Sequence, residues 1–342
     1  MTRIVVVTGG STPERDVAFA GAAQVVRALR ALEYAVTVVD TTAGVLDAEM
    51  EARILQPAVG REPPSPDRLA ELARLELGPR LVELPPLRQA DLVFPVLHGE
   101  QGEGGALQAL FELAGISYVG SGPLGSALAM DKDVAKRLFR DADIPTAAWV
   151  MWPTDAAAIA ALGLPCVVKP VKVGSTVGLT VVRDPHAVPA AASLAATFDD
   201  AVMVEAFVPG REFTVGILGD RALAVGEIIP AHEIFDYECK YTPGLTQEVF
   251  PAEIPASLTT TLQDLALRAH RALKLRDFSR IDFRVAADGV PYCLEANTLP
   301  GVTSTSLLPQ SAAAAGLAFP ELCDAICRQG LARRTGGNKL PP

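Results

Sequence analysis

Two carboxylates can be placed opposite each other from the sequence alone, in a hairpin that spans residues 280–297. The first half of this segment alternates polar and apolar residues, an Asp-Gly pair is typical of a two-residue turn, and the second half returns as a strand. The resulting antiparallel register predicts that Asp282 lies opposite Glu295 and that Arg280 lies opposite Asn297. All four side chains then share one face of the hairpin.

The opposed carboxylates indicate a divalent cation site. Like charges across a ladder destabilise a sheet, and a cation between Asp282 and Glu295 would remove that cost. Mg²⁺ prefers oxygen ligands from few protein groups and keeps positions open for phosphate, and the Asn297 amide oxygen completes such a set. The alternative is an exposed hairpin face whose carboxylates pair with Arg280 and Arg284.

A lysine beside a glycine-containing loop indicates phosphate binding. Lys169 ends an apolar strand, and residues 174–178 follow with two glycines, a serine and a threonine. Backbone N–H groups of such a loop can hold phosphate oxygens, and a buried ammonium favours an anionic partner. The residue order is not that of a Walker A loop, and an ordinary turn is the alternative. Lys132, at the start of a helix, would by itself be a solvated surface residue.

Two polar residues follow predicted strands in the first third of the chain. Glu14 lies where a strand and a turn with two glycines lead into a helix, so it either interacts with the helix dipole or binds a substrate ammonium. The dinucleotide fingerprint GxGxxG is absent from this turn. His98 lies where another strand ends in a glycine loop, which is where open α/β sheets bind ligands, although a lone histidine in a turn is more often structural.

The elements that must position these residues are typical of an α/β protein with several domains. With 342 residues, of which 49% are hydrophobic, the chain can fill two or three cores. Apolar strands and helices up to about residue 120 predict a small parallel sheet, and the later strands predict two further units, α+β in character. Residues 57–88 are expected to be a partly helical surface insertion without chemistry. We predict domains at 1–121, 122–211 and 212–330, a lid loop at 230–251 and a flexible tail at 331–342.

Composition excludes several classes of protein. The formal net charge of −10 argues against nucleic acid as the main partner. The chain shows no apolar stretch approaching about 20 residues and no signal h-region, so we expect a cytoplasmic protein without a membrane partner. Its five cysteines lack the paired spacing of a zinc site and are expected to be reduced thiols in the core.

A series of short segments between residue 9 and about residue 322 is informative through its order. The segments are residues 9–15, 98–105, 120–122, 130–132, 168–170, 174–178, 211–215, 235–244, 280–283 and 295–307. No single segment would suffice, but seven or more in the same order are hard to produce by chance, and in these segments the chain resembles the D-Ala-D-Ala ligases of the ATP-grasp superfamily. The resemblance implies a three-domain ATP-grasp architecture with an N-terminal parallel-sheet domain, in which ATP lies between the second and third domains.

The same resemblance implies an ATP site and a metal site. It assigns lysines to the phosphates, residues 205–208 to adenine and Glu212 to the ribose. The implied reaction is phosphorylation of a D-alanine carboxylate, followed by attack of a second D-alanine amine on D-alanyl phosphate. The implied ATP-binding residues are Lys132, Lys169, Glu205, Phe207, Val208, Glu212 and Lys240. The implied ligands of two Mg²⁺ ions, with Mn²⁺ as a substitute, are Asp282, Glu295 and Asn297, the set that the hairpin register also predicts.

Substrate-binding and catalytic residues follow from the resemblance as well. Glu14, tied to Ser175 and to a lid tyrosine, would meet the ammonium of the first D-alanine. Arg280 and a backbone N–H near Gly301 would stabilise the tetrahedral oxyanion. The lid would exclude water from the acyl phosphate. The implied catalytic residues are Glu14, Ser175, Tyr241, Arg280 and Gly301, and the implied substrate-binding residues are Glu14, His98, Ser306 and Leu307.

Some positions leave the activity open to alternatives. The phosphate loop reads Val171-Lys172-Val173 where relatives have polar or small residues, and Ala206 replaces a common lysine, so nucleotide affinity is in question. Tyr241 favours D-alanine as the acceptor, because lactate-accepting relatives usually replace this tyrosine. A D-Ala-D-Lac or D-Ala-D-Ser ligase, a ligase for another dipeptide, and an inactive nucleotide-binding regulatory protein are the alternatives. A homodimer formed through the first domain is the expected assembly.

Overall fold

The computed structural model describes residues 1–56, 64–235, 239 and 244–335, which fold around three β-sheets. The sheet nearest the N-terminus is mainly parallel, and the other two are antiparallel. The mixed α/β fold class predicted from the sequence is therefore confirmed. Within the described ranges, no helix is long and apolar enough to cross a membrane. The five cysteines are buried and form no disulfide, as expected.

The first sheet is built around a strand that is buried on both faces. Ile4 and Val6 pack against the first helix, while Val5 and Val7 face the opposite side, which explains the uninterrupted apolar run. The elements are β1 (Arg3–Thr8), α1 (Arg15–Ala31), β2 (Ala35–Asp40), β3 (Gly44–Val45), α2 (Ala48–Ile54), α3 (Pro66–Leu75), α4 (Pro85–Gln89), β4 (Leu92–Pro95), α5 (Glu100–Glu103) and α6 (Ala106–Leu113). The strand order is β3-β2-β1-β4, and β1 is parallel to both β2 and β4.

The segment expected to be a surface insertion lies over one face of this sheet. Residues 57–63 lie outside the described part of the chain, but α3, a 3₁₀ turn at Gly78–Glu83 and α4 follow them, so the segment is partly helical as predicted. Most of its described residues are exposed or half-buried, whereas Leu81 and Leu87 are buried in the same cluster as Val5 and Phe111. The segment therefore lies at the surface and also closes the core on that face, which the prediction did not include.

The second sheet is short and antiparallel. Its elements are α7 (Pro123–Met130), α8 (Lys132–Asp141), β5 (Trp149–Trp152), α9 (Ala156–Leu162), β6 (Cys166–Pro170), β7 (Thr180–Val182), α10 (Val188–Ala195) and β8 (Val202–Ala206), with the strands in the order β5-β8-β6-β7. Asp131 separates α7 from α8, and its side chain accepts a 3.0 Å hydrogen bond from the backbone N–H of Val134. This cap fixes Lys132 as the first residue of α8.

The third sheet contains the predicted hairpin. Its elements are β9 (Arg211–Leu218), β10 (Arg221–Pro230), β11 (Thr246–Val249), α12 (Ala256–Ala272), β12 (Phe278–Val285), β13 (Pro291–Asn297), α13 (Leu307–Ala314) and α14 (Phe319–Thr335), with the strands in the order β11-β10-β9-β12-β13. β11 lies inside the stretch expected to be an irregular lid loop and pairs with β10. The loop prediction was wrong for these residues because a four-residue edge strand leaves little periodicity in a sequence.

The hairpin register at the predicted site is confirmed, although the turn differs from the prediction. Asp282 lies opposite Glu295 and Arg280 lies opposite Asn297. A two-residue turn would have placed Phe283 opposite Leu294, whereas Phe283 lies opposite Cys293, so Leu294 is the extra residue of a β-bulge. Because of the bulge, Asp282 and Arg280 have the partners predicted from the sequence, although the residues nearer the turn do not.

The prediction of a flexible tail at 331–342 was wrong for residues 331–335, which are helical. α14 continues to Thr335, Leu331 packs against the first core, and Arg333 donates a 2.6 Å hydrogen bond to the carbonyl of Tyr118. Arg333 also forms an ion pair with Asp277. These contacts extend the helix past residue 330, and residues 336–342 lie outside the described part of the chain.

Candidate active site

Two clefts adjoin each other where the three sheets meet. The lysine cleft is lined by Lys132, Lys169 and Glu205 from the second sheet unit and by Asp282 and Glu295 from the third. The Glu14 cleft brings together Glu14, His98, Glu248, Asn297 and Ser306. Gly174, Ser175, Phe235, Arg280 and Glu295 line both clefts. A ligand in one cleft can therefore lie against a ligand in the other.

Lys132 enters the lysine cleft from the first turn of α8. Its Nζ donates a 3.0 Å hydrogen bond to the carbonyl of Val173 and lies 3.5 Å from Glu295 Oε2. Burial lowers the pKa of Lys132, although Glu295 opposes the shift. The side chain is buried, so the solvated surface lysine that the sequence left as an alternative is excluded.

Lys169 shares a buried carboxylate with a second lysine that the sequence analysis missed. Glu205 Oε2 accepts a 2.6 Å hydrogen bond from Lys169, and Oε1 accepts one from Lys136 of α8. Burial alone would raise the pKa of Glu205, but Lys169 and Lys136 together lower it to about 2. The cluster is therefore a fixed anion between two cations, with a net positive charge facing the cleft.

The far end of the lysine cleft is organised by Arg284, which was considered from the sequence only as a charge partner on an exposed face. Phe207 and Val208, just after β8, line the cleft together with Glu212. Arg284 donates to the Val208 carbonyl (3.1 Å) and to the Glu233 carbonyl (2.9 Å), and it pairs with Glu212 at 3.4 Å. Its guanidinium also lies 5.1 Å from the centre of the Phe207 ring. Arg284 is buried, so the exposed hairpin face is excluded.

The predicted metal ligands lie together, but protein cations compensate their charges. Arg280 contacts Asp282 through Nε (3.0 Å) and Nη2 (2.8 Å), and Asn297 Nδ2 donates to Asp282 Oδ2 at 3.0 Å. Lys132 compensates Glu295, so the opposed carboxylates do not by themselves require a metal. This corrects the premise of the prediction.

The donor set nevertheless fits Mg²⁺. Two carboxylates and an amide on adjacent strands offer oxygen ligands, which hard cations prefer, at the junction of the two clefts. In the described part of the chain, no group of three or more His, Cys, Asp or Glu residues is placed to hold a metal alone. A cation here would need further ligands from an oxygen-rich partner such as a polyphosphate.

The glycine-containing loop is held in an unfavourable backbone conformation by contacts at both sides. Ser175 and Thr176 have φ values of 52° and 63°, in the left-handed region that residues with a Cβ rarely adopt. Ser175 Oγ donates to Glu14 Oε1 at 2.6 Å, and Thr176 Oγ1 donates to the carbonyl of Phe235 at 3.0 Å. The loop thus connects the first sheet unit to the segment expected to form a lid.

The unusual Val171-Lys172-Val173 stretch does not direct a cation into the cleft. Lys172 Nζ lies 3.1 Å from Asp200 Oδ1, and its backbone N–H donates to Asp199 Oδ2 at 2.7 Å. Val171 is buried. The stretch therefore anchors the loop to the turn before β8. Ala206 also lines the lysine cleft, so the missing lysine leaves a small side chain there.

The Glu14 cleft contains the predicted substrate-binding residues that the structure describes. His98 is buried, and its Nε2 has no hydrogen-bond partner there. Ser306 Oγ accepts a 3.1 Å hydrogen bond from the Thr303 N–H, and Leu307 begins α13 beside it. A Cβ on Gly301 would lie 2.8 Å from Ser306 Oγ, so only glycine fits this approach without movement.

Glu103 is a second residue that the sequence analysis missed. Its carboxylate accepts hydrogen bonds from the N–H groups of Gly99 and Leu299, both 3.1 Å long, and it lines the Glu14 cleft. Burial raises the pKa of Glu103, although His98 and the two N–H donors oppose the shift. The signal available in the sequence was that Glu103 follows His98 by five residues in a glycine-rich segment. Lys240 and Tyr241 lie outside the described residues.

Comparisons with known proteins show the family to which the chain belongs. Residues 3–121 match the family model described as D-ala D-ala ligase N-terminus, and residues 138–328 match D-ala D-ala ligase C-terminus. A D-alanine–D-alanine ligase of Desulfotalea psychrophila is 39% identical over 98% of this chain and 96% of its own length.

Two solved structures have the same fold over nearly their whole length. The Bacillus anthracis D-alanine–D-alanine ligase complexed with ATP has a TM-score of 0.78 and 30% identity, covering 98% of this chain and 99% of that one. The VanG D-Ala:D-Ser ligase of Enterococcus faecalis has a TM-score of 0.79 and 31% identity, covering 96% and 99%. As the sequence motifs predicted, the chain belongs to the D-alanine–D-alanine ligase family, a family of ATP-dependent ligases.

Proposed function

We propose that the chain joins two D-alanines to D-Ala-D-Ala with ATP, through a D-alanyl phosphate intermediate, for peptidoglycan precursor synthesis. The observation that carries this proposal is the junction of the two clefts at Arg280 and Glu295. A nucleotide in the lysine cleft would direct its terminal phosphate toward an amino acid in the Glu14 cleft. That geometry is what phosphoryl transfer to a carboxylate requires.

The lysine cleft supports ATP as the nucleotide. Lys132 and Lys169 provide positive charge at one end, while Phe207, Val208 and Glu212 offer an apolar wall and a carboxylate for the base and the ribose. Mg²⁺ ions held by Asp282, Glu295 and Asn297 would offset the negative charge of the phosphates. A solved structure of the Bacillus anthracis relative is complexed with ATP, which supports ATP as the nucleotide.

The Glu14 cleft supports two amino acid positions. Glu14, oriented by Ser175, would pair with the ammonium of the first D-alanine, while Ser306 would bind the carboxylate of the second. The carboxylate oxygen of the first D-alanine attacks the γ-phosphorus and ADP leaves. The amine of the second D-alanine then attacks the acyl carbon, loses a proton and displaces phosphate.

Arg280 and the backbone at Gly301 are proposed to stabilise the oxyanion of that second step. Arg280 lines both clefts, and Asp282 holds its guanidinium through two nitrogens. A fixed donor near a developing oxyanion typically contributes about 3 kcal/mol to catalysis. Phe235 lines both clefts as well, which supports residues 230–251 as a cover that excludes water from the acyl phosphate.

We also propose D-alanine as the acceptor amino acid. The D-Ala:D-Ser ligase has the same fold as this chain, so fold alone does not select D-alanine over D-serine. Tyr241 supports D-alanine by resemblance, and assembly as a homodimer is proposed on the same basis. Domains at residues 1–121, 122–211 and 212–330 are proposed as the structural units, since the strands of the three sheets follow one another in nearly these ranges.

Product analysis tests the proposal. The protein is incubated with ATP, Mg²⁺ and D-alanine, alone or with D-serine or D-lactate, and the products are identified by mass spectrometry. We expect D-Ala-D-Ala in every mixture, with little mixed product. If D-Ala-D-Ser or D-Ala-D-Lac predominates, the acceptor is D-serine or D-lactate and not D-alanine. ATP binding without amino-acid-dependent ADP release would support the regulatory alternative.

A further inference from the structure

Lys136 is a fully buried lysine that does not line either cleft. Its side chain has 0% relative exposure and ion-pairs with Glu205 Oε1. Its Nζ also lies 2.7 Å from Thr146 Oγ1 and 4.9 Å from the centre of the Trp149 ring. Burying an ammonium is costly unless it is paired, so a lysine behind the wall of a ligand cleft calls for a physical explanation.

The contacts of Lys136 fix it in place, whereas Lys169 faces the cleft. The Thr146 hydroxyl donates a 2.8 Å hydrogen bond to the carbonyl of Cys293, so its oxygen accepts from Lys136. Lys169 lines the lysine cleft, and its Nζ donates a 2.6 Å hydrogen bond to the other oxygen of Glu205. One carboxylate is therefore shared between a cation fixed behind it and a cation that a ligand can reach.

We propose that Lys136 is a positioning residue that keeps Glu205 neutralised while Lys169 binds a phosphate of the nucleotide, an inference that rests on the proposed ATP site. With Lys136 alone removed, Glu205 would hold Lys169 in a one-to-one buried pair. The net charge of the cluster would fall from +1 to zero, and transferring Lys169 to a phosphate would leave a buried carboxylate without a counter-charge. With Lys136 present, Glu205 remains paired.

Charge variants distinguish this role from a packing role. Lys136→Met lowers the net charge of the cluster formed by residues 136, 169 and 205 to zero. The double variant Lys136→Met with Glu205→Gln restores a net charge of +1 and frees Lys169 from its ion pair with residue 205. Calorimetric titrations with ATP and with adenosine, which lacks phosphate, provide the readout. We expect Lys136→Met to weaken ATP binding ~10–100-fold, the range of a lost charged hydrogen bond, and to leave adenosine binding within about 2-fold. The double variant should recover most of the ATP affinity.

A milder variant provides a second test in case the charge variants do not fold. Thr146→Val removes the hydroxyl that fixes Lys136 without changing any charge, so ATP binding should weaken about 3-fold to 10-fold while adenosine binding is retained. Equal losses for ATP and adenosine, or a double variant that binds ATP no better than Lys136→Met, would overturn the proposal. Wild-type protein that binds no ATP would instead refute the proposed function, and the inference with it.

Discussion

Ser175 Oγ donates a 2.6 Å hydrogen bond to Glu14 Oε1 across 161 positions of the chain. The bond joins the loop after β6 to the residue that precedes α1, and both residues line the Glu14 cleft. The same loop borders the lysine cleft. The orientation of the proposed ammonium-binding carboxylate therefore depends on a loop that also bounds the proposed nucleotide site.

Removing this bond should weaken binding of the first D-alanine. A hydrogen bond to a charged group contributes about 1.5–3 kcal/mol, so Ser175→Ala should raise KM for that substrate ~10–100-fold. Steady-state kinetics with varied D-alanine gives the value. Ser193→Ala is the matched control, because the Ser193 hydroxyl bonds to the Pro189 carbonyl on an exposed face of α10. An unchanged KM in Ser175→Ala would contradict this role.

Arg284 should matter for ATP more than for D-alanine. Arg284→Met removes two hydrogen bonds to backbone carbonyls and the pairing with Glu212, so KM for ATP should rise about 10-fold with a smaller change in kcat. Arg183→Met is the control, because Arg183 pairs with Glu233 on the exposed surface. We expect no comparable change in Arg183→Met, and equal effects of the two variants would show that Arg284 is not specific to the nucleotide.

Glu295 should set the Mg²⁺ requirement. Glu295→Gln removes one charged ligand of the proposed metal set, so the Mg²⁺ concentration for half-maximal activity should rise at least about 10-fold. Asp288→Asn, an exposed change in the turn of the same hairpin, is the control. A Mg²⁺ titration of ADP release measures both. Identical titration curves for the two variants and the wild type would remove Glu295 from the metal site.

His270 should make the fold sensitive to acid. Burial lowers its pKa from 6.5 to about 4, and its Nδ1 lies 2.8 Å from Ser279 Oγ. Below pH 6.5 the unfolded chain binds a proton that the native state does not, so acidification to pH 4 should cost about 3 kcal/mol of unfolding free energy. Urea unfolding between pH 7.5 and 4.5 should show a steeper loss in wild type than in His270→Gln. Parallel losses would exclude His270 as the cause.

The sequence predicted the polar pairs of the hairpin through an incorrect turn. The pairing of Asp282 with Glu295 was expected from a two-residue turn, but a different turn and a bulge at Leu294 together produce the same register. The alternation of polar and apolar residues predicts which face of a strand a side chain occupies. A bulge changes the number of residues between paired positions, and no clear feature of composition reveals it. The pairing was therefore more predictable than the turn.

Buried charges were the least predictable part of the site. Lys136 lies four residues after Lys132 on α8, so helical spacing puts both on one face, and that spacing was an available signal. Nothing in the local sequence shows that Glu205 lies between Lys136 and Lys169, because that contact depends on the tertiary packing that brings α8 beside β8. Glu103 and Arg284 were missed because their contacts also depend on tertiary packing that the local sequence does not show.

Transfer of oxygen from D-alanine to phosphate shows whether the carboxylate of one D-alanine attacks the γ-phosphoryl group of ATP. The protein is given ATP, Mg²⁺ and D-alanine labelled with ¹⁸O in both carboxylate oxygens, and the released phosphate is analysed by mass spectrometry. We predict one ¹⁸O atom in each phosphate and an ¹⁸O-labelled amide carbonyl in the D-Ala-D-Ala product. Unlabelled phosphate released together with the dipeptide would contradict the acyl phosphate route.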